Sequence, residues 1–156
     1  MKVLGSLLAA TTALTVPSLA MAKDITVDTK LMNYGGEDAY LAYYLTDASG
    51  KYVRTLHIAS GKSRWWDHLT GWYSATAGNA NEIAGLTGAS VGSGSSLKFT
   101  VDVEDALIDA GYQIRVDAAV EHMPNSPAEI VVPLTSDNAG KTVAGRGYIA
   151  SFTFDM

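Results

Sequence analysis

The sequence predicts an all-β sandwich of seven or eight short strands, and three observations lead there. Apolar and polar residues alternate with a period of two along most of the chain. Turn-forming residues, with Asp47-Ala48-Ser49-Gly50 the clearest group, separate the alternating stretches. Helical spacing is confined to one short stretch, Ser63 to Tyr73, which leads into a long loop of Gly, Ala and Ser.

The first 22 residues precede this pattern and are read apart from it. Lys2, an apolar run from Val3 to Val16, Pro17 and then Ala20-Met21-Ala22 form the three-part layout of a secretory signal peptide, with cleavage expected after Ala22. The run is shorter than the roughly 20 residues a helix needs to span a bilayer, so no membrane insertion is expected after cleavage. The remaining chain, 23–156, is long enough for one domain. It has no cysteine, so an apolar core and not a disulfide framework must hold it together. The formal charge of −5 is spread along the chain, which disfavours nucleic acid and anionic membrane surfaces as partners.

The strands follow in order. Asp24 to Tyr34 carries Ile25, Val27 and Leu31 toward one buried face. Asp38 to Thr46 has Leu41, Tyr43 and Leu45 on one face and Tyr40, Ala42 and Tyr44 on the other, so aromatics on both sides predict a central strand. Asp47 to Lys51 turns the chain, because Asp can bond back to its own backbone and Gly accepts positive φ, and Lys51 to Ile58 returns as the second arm of a hairpin. Ser63 is the expected N-cap of one or two helical turns bearing Trp65, Leu69 and Trp72. Leu97 to Val103 alternates again, Glu104 to Ala110 is an acidic connection, and Tyr112 to Val120 is the most regular strand. Ala128 to Leu134 and Tyr148 to Phe154 complete the set.

Ser74 to Ser96 is the part of the chain least like scaffold. Its only charge is Glu82 and its only large aliphatics are Ile83, Leu86 and Val91, too few to form core on their own. Structureless connections beyond roughly 12 to 15 residues are usually functional or disordered. Within it, Thr87-Gly88-Ala89-Ser90 places a hydroxyl beside two residues with almost no side chain, which leaves the Ser90 oxygen accessible. Trp65, Trp66, Trp72 and Tyr73 lie just before this segment. Such rings serve either as a lid on the core or as stacking faces for a flat ligand.

Other chemistries leave no trace in the sequence. His57, His68 and His122 lack zinc-type or copper-type local spacing, so no metal set is expected. Glu104, Asp105 and Asp109 do not fit a calcium loop, and neither a nucleophile elbow nor a phosphate loop occurs.

The T-G-A-S tetrapeptide resembles the acceptor motif to which FAD:protein FMN transferases attach FMN through a phosphoester, with Ser90 in the place of the modified hydroxyl. The acidic position of that motif, D-x-x-[ST]-G-A-[ST], falls at Ala84. Tyr52-Val53-Arg54-Thr55-Leu56, the tryptophan-rich turn, T-G-A-S, Ala110-Gly111-Tyr112 and Glu121-His122 together resemble an exported bacterial family, domain of unknown function 2271, over about Ile25 to Phe154. That resemblance implies an immunoglobulin-like sandwich related to the flagellar hook-cap domain and a periplasmic location. It also implies extracytosolic electron transfer beside a PepSY-type inner-membrane protein, with a link to iron acquisition.

Two functions remain open at this point. One is an electron carrier with FMN on Ser90, where Thr87, Gly88 and Ala89 complete the attachment loop, Trp65, Trp66, Trp72 and Tyr73 stack on the flavin and His122 bonds it. The other is a cofactor-free module that binds a partner through the same aromatic cluster, which the alanine at position 84 favours. A redox carrier or binding protein is expected in preference to a catalyst.

Overall fold

The computed structural model describes residues 20–156, so the expected leader lies outside the described residues up to residue 19. The cleavage point expected after Ala22 falls at the first residue of strand β1 (Ala22–Leu31).

Among the described residues, eight strands form two sheets. The smaller has the order β5 (Ser96–Glu104), β1, β8 (Ile149–Asp155). The larger has the order β4 (Thr87–Gly88), β3 (Tyr52–Ala59), β2 (Ala39–Thr46), β6 (Gln113–Val120), β7 (Ser126–Pro133). All pairings are antiparallel except that between β3 and the two-residue β4. Inward residues of both sheets build the main core, with Ile25, Val27, Leu41, Tyr43, Leu45, Val103, Ile114, Val116, Phe152 and Phe154 within it. The architecture is thus the expected sandwich, and β2 is central as its aromatics predicted: all eight of its residues are buried.

The β2–β3 hairpin turns as the sequence predicts. Asp47 Oδ1 accepts from the backbone N–H groups of Ser49 (2.9 Å) and Lys51 (3.0 Å) and from the Ser49 hydroxyl (2.6 Å), while Gly50 adopts φ +86°. These bonds, the Ser49 hydroxyl's first, hold the Asp47 carboxyl below the ordinary carboxylate range.

A second core lies on the outer face of the larger sheet. Tyr40, Ala42, Tyr44, Ile58 and Ala119 are covered there by Leu69, Trp72 and Ile83. The expected helical segment supplies this cover in two pieces, a 3-10 turn (Ser63–His68) and helix α1 (Thr70–Thr76). Ser63 does not cap it: Lys62 occupies the cap position, and no side chain bonds the free N–H groups. The helix is instead anchored at Asp117, wholly buried on β6, whose carboxylate accepts from the Trp72 backbone N–H (2.7 Å), the Tyr44 hydroxyl (2.9 Å) and the Ala128 backbone N–H (2.8 Å). The Trp72 indole N–H donates to Thr55 on β3 at 2.9 Å.

The expectation of a structureless segment from Ser74 to Ser96 is corrected. Helix α1 continues to Thr76, a 3-10 turn forms at Ala80–Glu82, and β4 joins the sheet by pairing Thr87 with Ile58 and Gly88 with Ala59. Ile83 and Val91 are buried, because apolar surface already present on β2, β3 and the helix completes what the segment lacks. Backbone pairing supplies the rest: Ala39 and Val91 exchange two hydrogen bonds of 2.7 and 2.9 Å.

Gly71 has no room for a side chain, since an added Cβ would lie 2.8 Å from both Asp117 Oδ2 and the Tyr44 hydroxyl. Gly71→Ala is therefore expected to lower stability by about 1–3 kcal/mol through overpacking. Asp117→Ala, which strands two buried donors and one part-buried one, is expected to cost about 3 kcal/mol or more. Urea unfolding of both variants measures this, and an unchanged midpoint in either contradicts the anchoring role.

Candidate functional site

Ser90 sits between β4 and the Ala39–Val91 bridge, so backbone hydrogen bonds on both sides fix its position. In the antiparallel register of that bridge, Ser90 comes opposite Tyr40 and diagonal to Asp38. The Ser90 hydroxyl, half-buried, donates to Asp38 Oδ2 at 3.1 Å. With Ala89, Tyr40, Gly61 and Lys62 it lines a shallow surface concavity. Thr87 and Ala89 are exposed. Gly88 is in place because of a close approach: a Cβ there would meet the His57 ring at 3.2 Å.

Tyr40 separates this concavity from a second, more enclosed one. The second is apolar and is lined by Tyr40, Trp65, His68, Ala119, Val120, Glu121 and His122. Tyr40 and Trp65 stack nearly parallel, with centroids 6.4 Å apart, and the Arg64 guanidinium lies 5.1 Å from the centre of the Trp65 ring system. The Trp65 indole nitrogen is buried and has no hydrogen-bond partner among the described residues, an open donor on a residue that lines the pocket. The Tyr40 hydroxyl donates to Glu121. Burial foremost, then the bond and charge of Glu121, raises the Tyr40 phenol well above its ordinary value. The reciprocal bond, as the largest cause, lowers the Glu121 carboxyl.

The residues expected to hold a flat ligand divide into two groups. Trp65 and His122 share the pocket beside Tyr40, one aromatic ring away from Ser90. Trp72 is wholly buried, so no face of it is open to a ligand, and it serves the core instead. Trp66 packs edge-on against Trp72 at 5.9 Å and donates its indole N–H to the Ser60 carbonyl oxygen, while Tyr73 packs against Trp72 at 6.4 Å. None of these three lines the Ser90 concavity. Sequence reading missed Asp38, Tyr40 and Lys62; Asp38 lies 52 residues from Ser90, and no local spacing links them.

The expectation that the chain carries no metal set came from local spacing alone. Glu37, Glu121 and His122 in fact converge, each offering a ligand atom within 4.8 Å of the others at the rim of the pocket. His68 lines the same pocket, whereas His57 lies elsewhere, stacked on Phe99 at 4.5 Å.

Burial lowers the His57 imidazole below its ordinary value of 6.5. The unfolded chain therefore binds the proton more readily, and the stability contributed by neutral His57 is present above about pH 6.5 and lost as the pH falls through the lower folded value. Because His57 packs against Gly88, wild-type protein is expected to lose amide protection in β4 on acidification through this range, and His57→Phe to retain it. Hydrogen exchange at Gly88 measures the difference; identical pH profiles contradict it.

A family model described as "Predicted periplasmic protein (DUF2271)" matches residues 22–151. No curated protein and no solved structure matches the chain. Among the described residues no helix is long and apolar enough to cross a membrane.

Proposed function

The chain belongs to the DUF2271 family of predicted periplasmic proteins, and from that premise we propose that it is a periplasmic electron carrier with FMN attached through a phosphoester to Ser90. One observation carries this reading: the Ser90 hydroxyl is reachable, bonded to a carboxylate, and opens on a concavity that holds a lysine and adjoins a pair of stacked aromatic rings.

The residues present fit such a group. Lys62 lines the Ser90 concavity and is a cation of the kind that would suit a phosphate, and the Trp65 indole N–H, unpartnered among the described residues, is a donor of the kind that a heteroaromatic ring accepts. Tyr40, Trp65 and His122 offer ring surface and hydrogen bonding in the neighbouring pocket. Bound FMN supplies one- and two-electron chemistry; the chain's own residues position it and screen it from water. A tether suits an exported protein, because it replaces affinity for a diffusible cofactor with a high effective concentration at the site. An FAD:protein FMN transferase is the modifying partner in this reading. A PepSY-type membrane protein is the redox partner, and iron acquisition is the process served.

A cofactor-free binding module is the second reading. Ala84, where the attachment motif has an acid, favours it, and the apolar pocket beside Tyr40 is the surface it would use.

Co-expression with an FMN transferase distinguishes the two. Intact-mass spectrometry is expected to show one flavin mononucleotidyl group on the wild type, a yellow protein, and none on Ser90→Ala. A colourless, unmodified wild type, or flavin still attached to Ser90→Ala, overturns the carrier reading.

A further inference from the structure

The attachment motif's acidic position is an alanine in this chain, yet the Ser90 hydroxyl already donates to a carboxylate, that of Asp38. We propose that Asp38 is the proton acceptor for modification of Ser90, brought to it across the sheet and not along the chain; this rests on the carrier reading above.

The backbone sets the pair. Ala39 and Val91 exchange both their hydrogen bonds, so Asp38 and Ser90, each one residue before its bridging partner in the chain, are held as diagonal neighbours across an antiparallel bridge. Oδ2 takes the Ser90 hydroxyl at 3.1 Å. Oδ1 lies on the Gly92 side, 3.5 Å from where a Cβ would stand, so the glycine leaves the carboxylate in ordinary contact. Lys62 faces the same concavity as Ser90. The hydroxyl therefore has a base on its own proton, and the concavity it opens on has a lysine in its lining, a residue type suited to an anionic phosphoryl group.

The reaction is a displacement with no change of oxidation state. The Ser90 oxygen attacks the flavin-side phosphorus of an FAD pyrophosphate, forming an O–P bond. The bond from that phosphorus to the bridging oxygen breaks, and AMP leaves with the bridging oxygen. The hydroxyl proton passes to Asp38. The transferase supplies FAD, and Asp38 with Ser90 supplies the nucleophile.

Asp38→Asn separates proton transfer from positioning, because the amide oxygen still accepts the Ser90 hydrogen bond but is not a base. With purified transferase and FAD, the rate of flavin incorporation into the full chain, followed by intact mass, is expected to fall about 100-fold or more in Asp38→Asn. Asp38→Glu is expected to recover part of it, and the thermal midpoints are expected to match the wild type. A rate within about twofold of wild type in Asp38→Asn, while Ser90→Ala stays unmodified, overturns the role of Asp38 and leaves the carrier reading intact. An unmodified wild type, or a modified Ser90→Ala, overturns both.

Discussion

The buried carboxylate of Asp117 is the constraint on which the outer layer of this protein depends. It gathers donors from three elements, the Tyr44 hydroxyl of β2, the Trp72 N–H of α1 and the Ala128 N–H of β7. Hydrogen bonds to a charged group contribute about 1.5–3 kcal/mol each. Removing a carboxylate from water costs several kcal/mol. The two effects are of similar size, so the net gain in stability is small and the main result is orientation: the bonds specify where a seven-residue helix, too short to be stable alone, must sit. Gly71 follows from the same contact, since any side chain there would occupy the space the carboxylate needs.

That helix decides which aromatics are free. Without it, Tyr40, Ala42, Tyr44 and Ile58 would face solvent as a continuous apolar patch. With it, Trp72 fills the centre of the outer layer, and Trp66 and Tyr73 pack around Trp72. Trp65 belongs to the preceding 3-10 turn, meets Tyr40 at the margin of the layer, and borders an open pocket. Four rings that look equivalent in sequence thus have different work, and the division runs through the 3-10 turn itself, where the neighbours Trp65 and Trp66 pack against Tyr40 and Trp72 respectively.

The inner sandwich was legible because its signal is local. Ile25 and Val27, Ile114 and Val116, and Phe152 and Phe154 alternate with residues on the opposite face, and an error of one residue would expose them all. The outer layer was less so. Asp117 occupies the polar phase of an alternating strand, where the period-two pattern predicts solvent, and only the helix arriving over it makes that position interior. The Ser74 to Ser96 segment lacked apolar residues enough to predict structure, and its order comes from pairing with β3 and β2, partners that local composition does not reveal. Ser90 was singled out by its tetrapeptide, whereas its neighbours Asp38, Tyr40 and Lys62 are brought to it only by the fold.

The manner in which Ser90 is held bears on what it can do. A hydroxyl at the tip of a flexible loop would sample many positions, and a modifying enzyme would have to order it at an entropic cost of about 1–2 kcal/mol per residue fixed. Here β4 on one side and the Ala39–Val91 bridge on the other have already met that cost, which leaves the side chain presented at a sheet margin beside a carboxylate and a lysine. The concavity is shallow, so a dissociable ligand would bury little surface in it and bind weakly. On the proposed carrier reading, a preorganised hydroxyl in a weak binding site suits attachment better than affinity, and the rings of Tyr40 and Trp65 would need only to orient the attached group.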